Sequence, residues 1–142
     1  MSYEKYTGRP FRFGITDCYT IVRDFYKNEF GITLRNYARY DKFWEKESLY
    51  MKFFRNEGFE VVEGEPRFGD VILIALGARV ACHAAVYLGN GKILHHVQNR
   101  ISSIDRYDRM WKNWTMAIIR NRKVKQKMMS GVLDFERGVI CL

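Results

Sequence analysis

The chain has 142 residues, a formal net charge of +8, and 47% apolar and 15% aromatic residues. That length fits one domain, and the apolar content excludes a globally disordered chain. The positive charge favours an anionic partner such as nucleic acid, a cell-wall polymer or an acidic protein, without choosing among them. Three scattered cysteines, Cys18, Cys82 and Cys141, with no C-x-x-C pair, exclude a disulfide framework. The opening "MSYEKYTGRPFRFG" lacks the apolar run of a signal peptide, and "VILIALGA" at 71–78 is too short to span a bilayer.

In chain order, residues 1–16 read as loop, punctuated by Gly8, Pro10 and Gly14. Cys18, Ile21, Val22, Phe25 and Tyr26 then recur at helical spacing. They predict a helix with Thr16 or Asp17 as N-cap and Gly31 as stop. A second helix is predicted over 41–56, with Phe43, Leu49, Tyr50, Phe53 and Phe54 on its apolar face and Gly58 ending it. After it the pattern turns to strands: "FEVVEG", "DVILIAL", "VACHAAVYL", "KILHHVQ" and "TMAIIRN". "GNG" at 89–91 marks a hairpin between two of them. Helices first and a largely antiparallel sheet after give an α+β layout. The domain is placed at 1–124. Residues 125–142 form an extension, read first as a solvated terminus and second as an arm that docks a partner. Within it "GVLDFERGVICL" fits a short strand or hairpin.

Cys18 is the first candidate for chemistry. In the first turn of a helix, free N–H groups and the helix dipole favour a thiolate. The competing reading is a structural core cysteine. A thiol nucleophile needs a base, and the base needs an orienting group. The only histidines, His83, His95 and His96, all lie in or beside the predicted hairpin. Register decides which of them meet. A two-residue loop, Asn90-Gly91, puts His83 on one face with His96. A three-residue loop, Gly89-Asn90-Gly91, puts His83 on one face with His95. Both loops suit this sequence.

Other chemistry finds no motif. There is no G-x-S-x-G, Walker loop or H-E-x-x-H. Cys82 and His83 are adjacent on a strand and face opposite ways, so they make no metal pair. No metal or other cofactor is expected. The basic run "RNRKVKQK" at 120–127 comes with no base-reading motif, so a nucleic-acid partner is not expected.

Three blocks carry a resemblance. "PFRFGITDCYTIVRDFY" resembles an aromatic-rich P-Y-x-Y-G loop followed by D-C-S-G and a helix. "FGDVILI" resembles a P-G-D-L-V-F strand, and "CHAAVYLGNGKILHH" resembles H-V-G-I-Y-L-G-N-G-x-x-I-H-A. In this order, over about 9–98, they resemble the signature blocks of the NlpC/P60 cysteine peptidases. The resemblance implies a papain-like α+β fold with N-terminal helices packed on an antiparallel sheet. It also implies Cys18 as nucleophile, His83 as base and His95 as the third, orienting group, which favours the three-residue loop and leaves His96 in reserve. The substrates it implies are peptide bonds of bacterial cell-wall stem peptides.

The form "GRPF…DCYTIVRDFY" resembles the NlpC/P60 domains of tailed-phage tail proteins in particular. That implies a virion component made in the host cytoplasm, with other tail-tip proteins as partners and peptidoglycan as substrate. The alternative is a structural tail-tip piece with an idle site; a third reading is a bacterial intracellular amidase or acyltransferase of the same fold. Two departures stand out. Tyr19 replaces a small residue after the cysteine and is expected to restrict the substrate. Phe11 and Phe13 stand where tyrosine is frequent, so a hydroxyl that could assist the oxyanion site is missing there unless Tyr6 supplies one.

Overall fold

The computed structural model describes residues 2–39, 42–43 and 47–124. The extension at 125–142 lies outside the described residues, as do residues 41 and 44–46 of the expected second helix. Helix α1 (Cys18–Phe25) starts where Asp17, in extended conformation, accepts a hydrogen bond from the Thr20 amide. Asp17 rather than Thr16 is therefore the N-cap, and Cys18 is the first helical residue. Ile21, Val22 and Phe25 are buried on one side. The helix relaxes into a π-helical turn, Tyr26–Phe30, and Gly31 ends it with φ of 66°. That left-handed conformation suits a residue without Cβ.

Helix α2 (Leu49–Phe53) is shorter than expected and begins later. Ser48 accepts from the Met51 amide and so fixes the start there, while its own hydroxyl donates to the Ala81 carbonyl. A 3₁₀ turn, Phe54–Glu57, follows, and Gly58 stops it.

Six strands make one antiparallel sheet in the order β1-β6-β2-β3-β4-β5. They are β1 (Phe59–Val62), β2 (Val71–Ile74), β3 (His83–Gly89), β4 (Lys92–His95), β5 (Ser103–Arg106) and β6 (Thr115–Asn121). The α+β expectation holds. β5 and a short helix α3 (Arg109–Asn113) were not read from the sequence, because their charged and polar residues give no apolar period. Alternation splits the sheet into two packed faces. Leu73, Ala84, Val86, Leu94 and Ile119 pack with α1 in the larger core. Ile72, Ile74, Ala85 and Ile93 pack with Tyr107 and Trp111 in a smaller one. Among the described residues no helix is long and apolar enough to cross a membrane.

The β3–β4 hairpin resolves the register left open above. Asn90 and Gly91 both have positive φ, 52° and 70°, and form a two-residue turn closed by Gly89 opposite Lys92. The pairing then slips between Tyr87 and Gly89, so Tyr87 faces Ile93 and Ala85 faces His95. The loop is thus the shorter of the two considered. A bulge around Leu88 nonetheless restores the register of the longer one and puts His83 and His95 on one face.

Asp17 also holds the N-terminal loop. It accepts from the Gly14 amide at 2.8 Å and from Arg39 Nε at 2.8 Å. Both side chains of the ion pair are almost out of water, at 2% and 5% exposure. Burial alone would raise the Asp17 pKa. Arg39 and the two amides outweigh it and hold the carboxyl below its ordinary value of 3.8. Replacing Arg39 by Met strands a buried carboxylate and is expected to cost about 3–5 kcal/mol at neutral pH, read as a lower urea midpoint. A depressed pKa contributes stability that is complete above the unfolded value and fades as pH falls through the folded one. The gap between wild type and R39M should therefore narrow as pH falls below the ordinary carboxylate value of 3.8. Equal stability at neutral pH, or a gap unchanged in acid, contradicts this.

Candidate active site

His83 opens β3 and His95 closes β4, so both stand at the same end of neighbouring strands. His83 Nε2 lies 2.9 Å from His95 Nδ1, and His95 Nε2 lies 2.6 Å from Asp105 Oδ2. Asp105 rises from the edge strand β5, where it also accepts from Ser103 Oγ at 3.0 Å. Trp111 of α3 covers this row, its ring edge-on to His95 at 4.9 Å between centroids. Burial depresses the His83 pKa well below 6.5, and the neighbouring His95 and His96 push it the same way. Burial also lowers that of His95, partly offset by the Asp105 carboxylate. Both rings are therefore neutral at pH 7.

His96 is placed on the other face of the sheet, beside Leu94 in alternation. Its Nε2–H donates to the Arg100 carbonyl at 2.8 Å, and its ring meets Phe11 edge-on at 5.1 Å. It ties down the loop after β4 and makes no hydrogen bond with the other two histidines.

Cys18 is half-buried as a residue, but its sulfur is closely surrounded. Sγ lies 2.8 Å from the Tyr50 hydroxyl and against the backbone of Ala84, the residue after His83. Among the described residues it makes no hydrogen bond with His83. Burial pushes the thiol up to about 12, with the Asp17 charge adding to this; Tyr50, the Ala84 backbone and Arg39 offset it only in part. Burial thus works against the thiolate that a helix start favours, toward a thiol that His83 would deprotonate.

Two tyrosines depart from expectation. Tyr6 is buried in the core against Phe25, and its hydroxyl donates to Glu29, so it is not the hydroxyl beside Cys18. That hydroxyl belongs to Tyr50, which the helical pattern presented as one more apolar-face residue. Tyr19 donates its hydroxyl to the Arg35 carbonyl. Its ring lies over the Arg39 guanidinium and edge-on to Tyr50, so it buttresses the residue that touches Cys18. Asp105 and Trp111 were missed as well. Asp105 sits in a polar four-residue strand, and only the pairing of Ser103 with His95 reveals its reach.

Residues 8–120 match the family model described as NlpC/P60 family. Tail tip assembly protein K of Escherichia phage lambda is 35% identical over 130 residues, covering 90% of this chain and 65% of that protein. Its namesake from Escherichia phage N15 is 29% identical over 120 residues, covering 82% and 49%. The chain therefore spans about half to two thirds of the length of these curated relatives. Among solved structures, the NlpC/p60 domain of peptidoglycan hydrolase SagA aligns with a TM-score of 0.55 at 18% identity, over 82% of this chain and 91% of that one. An NLP/P60-family protein of Staphylococcus aureus, described as similar to lipoprotein, aligns with a TM-score of 0.55 at 20% identity, over 82% and 38%. At these identities the solved structures show the shared fold alone.

Trp111 packs against both rings of the histidine pair, so W111A should raise the His95 pKa toward 6.5, followed by NMR titration of its ring protons. The same change should cost about 3–5 kcal/mol through the cavity it leaves. An unmoved titration contradicts the role given to burial here.

Proposed function

The chain belongs to the NlpC/P60 family, and on that premise we propose that it is a cysteine peptidase of a phage tail tip, cutting peptide bonds of bacterial peptidoglycan during entry or acting in tail assembly. The observation that carries this reading is the His83–His95 hydrogen bond, made beside the backbone on which the Cys18 sulfur rests. The relatives named as tail tip assembly proteins support the location in the virion tail, with other tail-tip proteins as partners. The charge of +8 suits an anionic wall polymer.

The chemistry follows from the protonation states. The resting site is a thiol beside a neutral imidazole pair. His95 orients His83 through Nε2, which leaves His83 Nδ1 to act as base. For attack, the Cys18 sulfur leaves the Tyr50 hydroxyl and gives its proton to Nδ1 as the S–C bond to the scissile carbonyl forms. The Cys18 amide, at the first helical position, has no intrahelical acceptor and can receive the oxyanion. The Tyr50 hydroxyl, released from sulfur, is a second donor. Burial and the adjoining Cys18 hold the Tyr50 pKa far above 10, so it keeps its proton throughout. His83 then protonates the leaving amine, and water hydrolyses the thioester.

One observation favours the alternative, a structural tail-tip component with an idle site: the resting sulfur is bonded to Tyr50 and not to His83. Incubation with purified peptidoglycan separates the two. The wild type should release new muropeptides, C18A none, and H83A about 10²–10⁴-fold less per unit time. No fragments from wild type, together with normal virion assembly by C18A, overturns the peptidase reading.

A further inference from the structure

The hydrogen-bonded row does not end at His95. A carboxylate only accepts, so the 2.6 Å contact with Asp105 places a proton on His95 Nε2. A neutral His95 then has its lone pair on Nδ1. The 2.9 Å contact with His83 is met only if His83 carries its proton on Nε2. His83 Nδ1 is then bare. Without the carboxylate, the same contact is satisfied equally by the reverse arrangement, His95 Nδ1–H donating to His83 Nε2. In that arrangement His83 Nδ1 holds a proton and cannot accept another. The choice between a competent and an incompetent base is thus made two residues away.

The surroundings suit Asp105 to this. It is half-exposed on the edge strand, so water helps keep it charged, while Ser103 Oγ donates to the same oxygen that meets His95. Burial works to raise its pKa, but the bonds from His95 and Ser103 and the nearby Arg100 hold it below the ordinary carboxylate value. The charged and titratable groups facing His95 are His83 from β3, Asp105 from β5, His96 beside it, and Arg100 in the following loop. Asp105 is the only carboxylate among them, so the proton on His95 Nε2 has one strong acceptor.

We propose that Asp105 is a positioning residue that fixes the tautomers of His95 and His83 and so leaves His83 Nδ1 free to take the Cys18 proton. The role in catalysis rests on the peptidase reading; the tautomer assignment does not. The test is ¹⁵N-edited NMR of the imidazoles in the full chain, with the rate of muropeptide release measured beside it. Wild type should show both histidines protonated at Nε2. D105A should shift His83 toward the Nδ1–H form, and D105N should do the same more weakly because its side-chain oxygen still accepts. Both variants should keep the wild-type urea midpoint to within a small change, since the side chain is half outside. kcat/KM should fall about 10- to 100-fold in D105A, less than on losing the base itself. Its acid limb should move to lower pH, because the carboxylate stabilises the imidazolium. Unchanged tautomers in D105A overturn the proposal. Changed tautomers with an inactive wild type uphold the positioning role and sink the peptidase reading instead.

Discussion

The register of β3 against β4 decides what this site contains. A one-residue slip would turn His95 to the face that packs α1 and bring His96 beside His83. The bulge at Leu88 prevents that, and it does so next to a turn whose two residues both need positive φ. Everything else in the row depends on it: the His83–His95 contact, the reach of Asp105 across to His95, and the cover supplied by Trp111. A local irregularity in one strand thus sets which side chains meet at the far end of that strand, where His83 stands.

The second anchor is Asp17. One carboxylate caps α1, binds the Gly14 amide and neutralises Arg39, so it fixes both the first helical position and the segment that crosses in front of it. Arg39 in turn lies under Tyr19, and Tyr19 packs on Tyr50, whose hydroxyl meets Cys18. The bulky residue after the cysteine is part of this chain of contacts. Where the family pattern has a small residue, this protein uses a large one to steady the tyrosine at Cys18.

Much of this could be read from the sequence, for identifiable reasons. Helical spacing from Cys18, five β-rich runs and the GNG turn are strong local signals, and they sufficed for the α+β layout. The three family blocks added the pairing of His83 with His95, which alternation alone left open because both loop lengths were allowed. What stayed hidden depends on tertiary contact. The bulge is one residue that no periodicity marks. Asp105 looks like any surface acid until β5 is paired with β4. Tyr50 looks like core until its hydroxyl is found on sulfur. The burial of the Cys18 sulfur was hidden for a related reason: a helix start is visible in sequence, while the packing that surrounds its first residue is not.

In the proposed mechanism burial disfavours charge at both Cys18 and His83, so a thiol rests near an imidazole that takes its proton during attack. The most direct measurement is the ultraviolet absorbance of the thiolate across pH, taken as wild type minus C18S. No thiolate midpoint is expected below about pH 9, the top of the ordinary thiol range, since the Cys18 pKa is pushed up to about 12. A thiolate that appears with a midpoint near or below pH 7, accompanied by an imidazolium signal from His83, would instead reveal a preformed ion pair and contradict it.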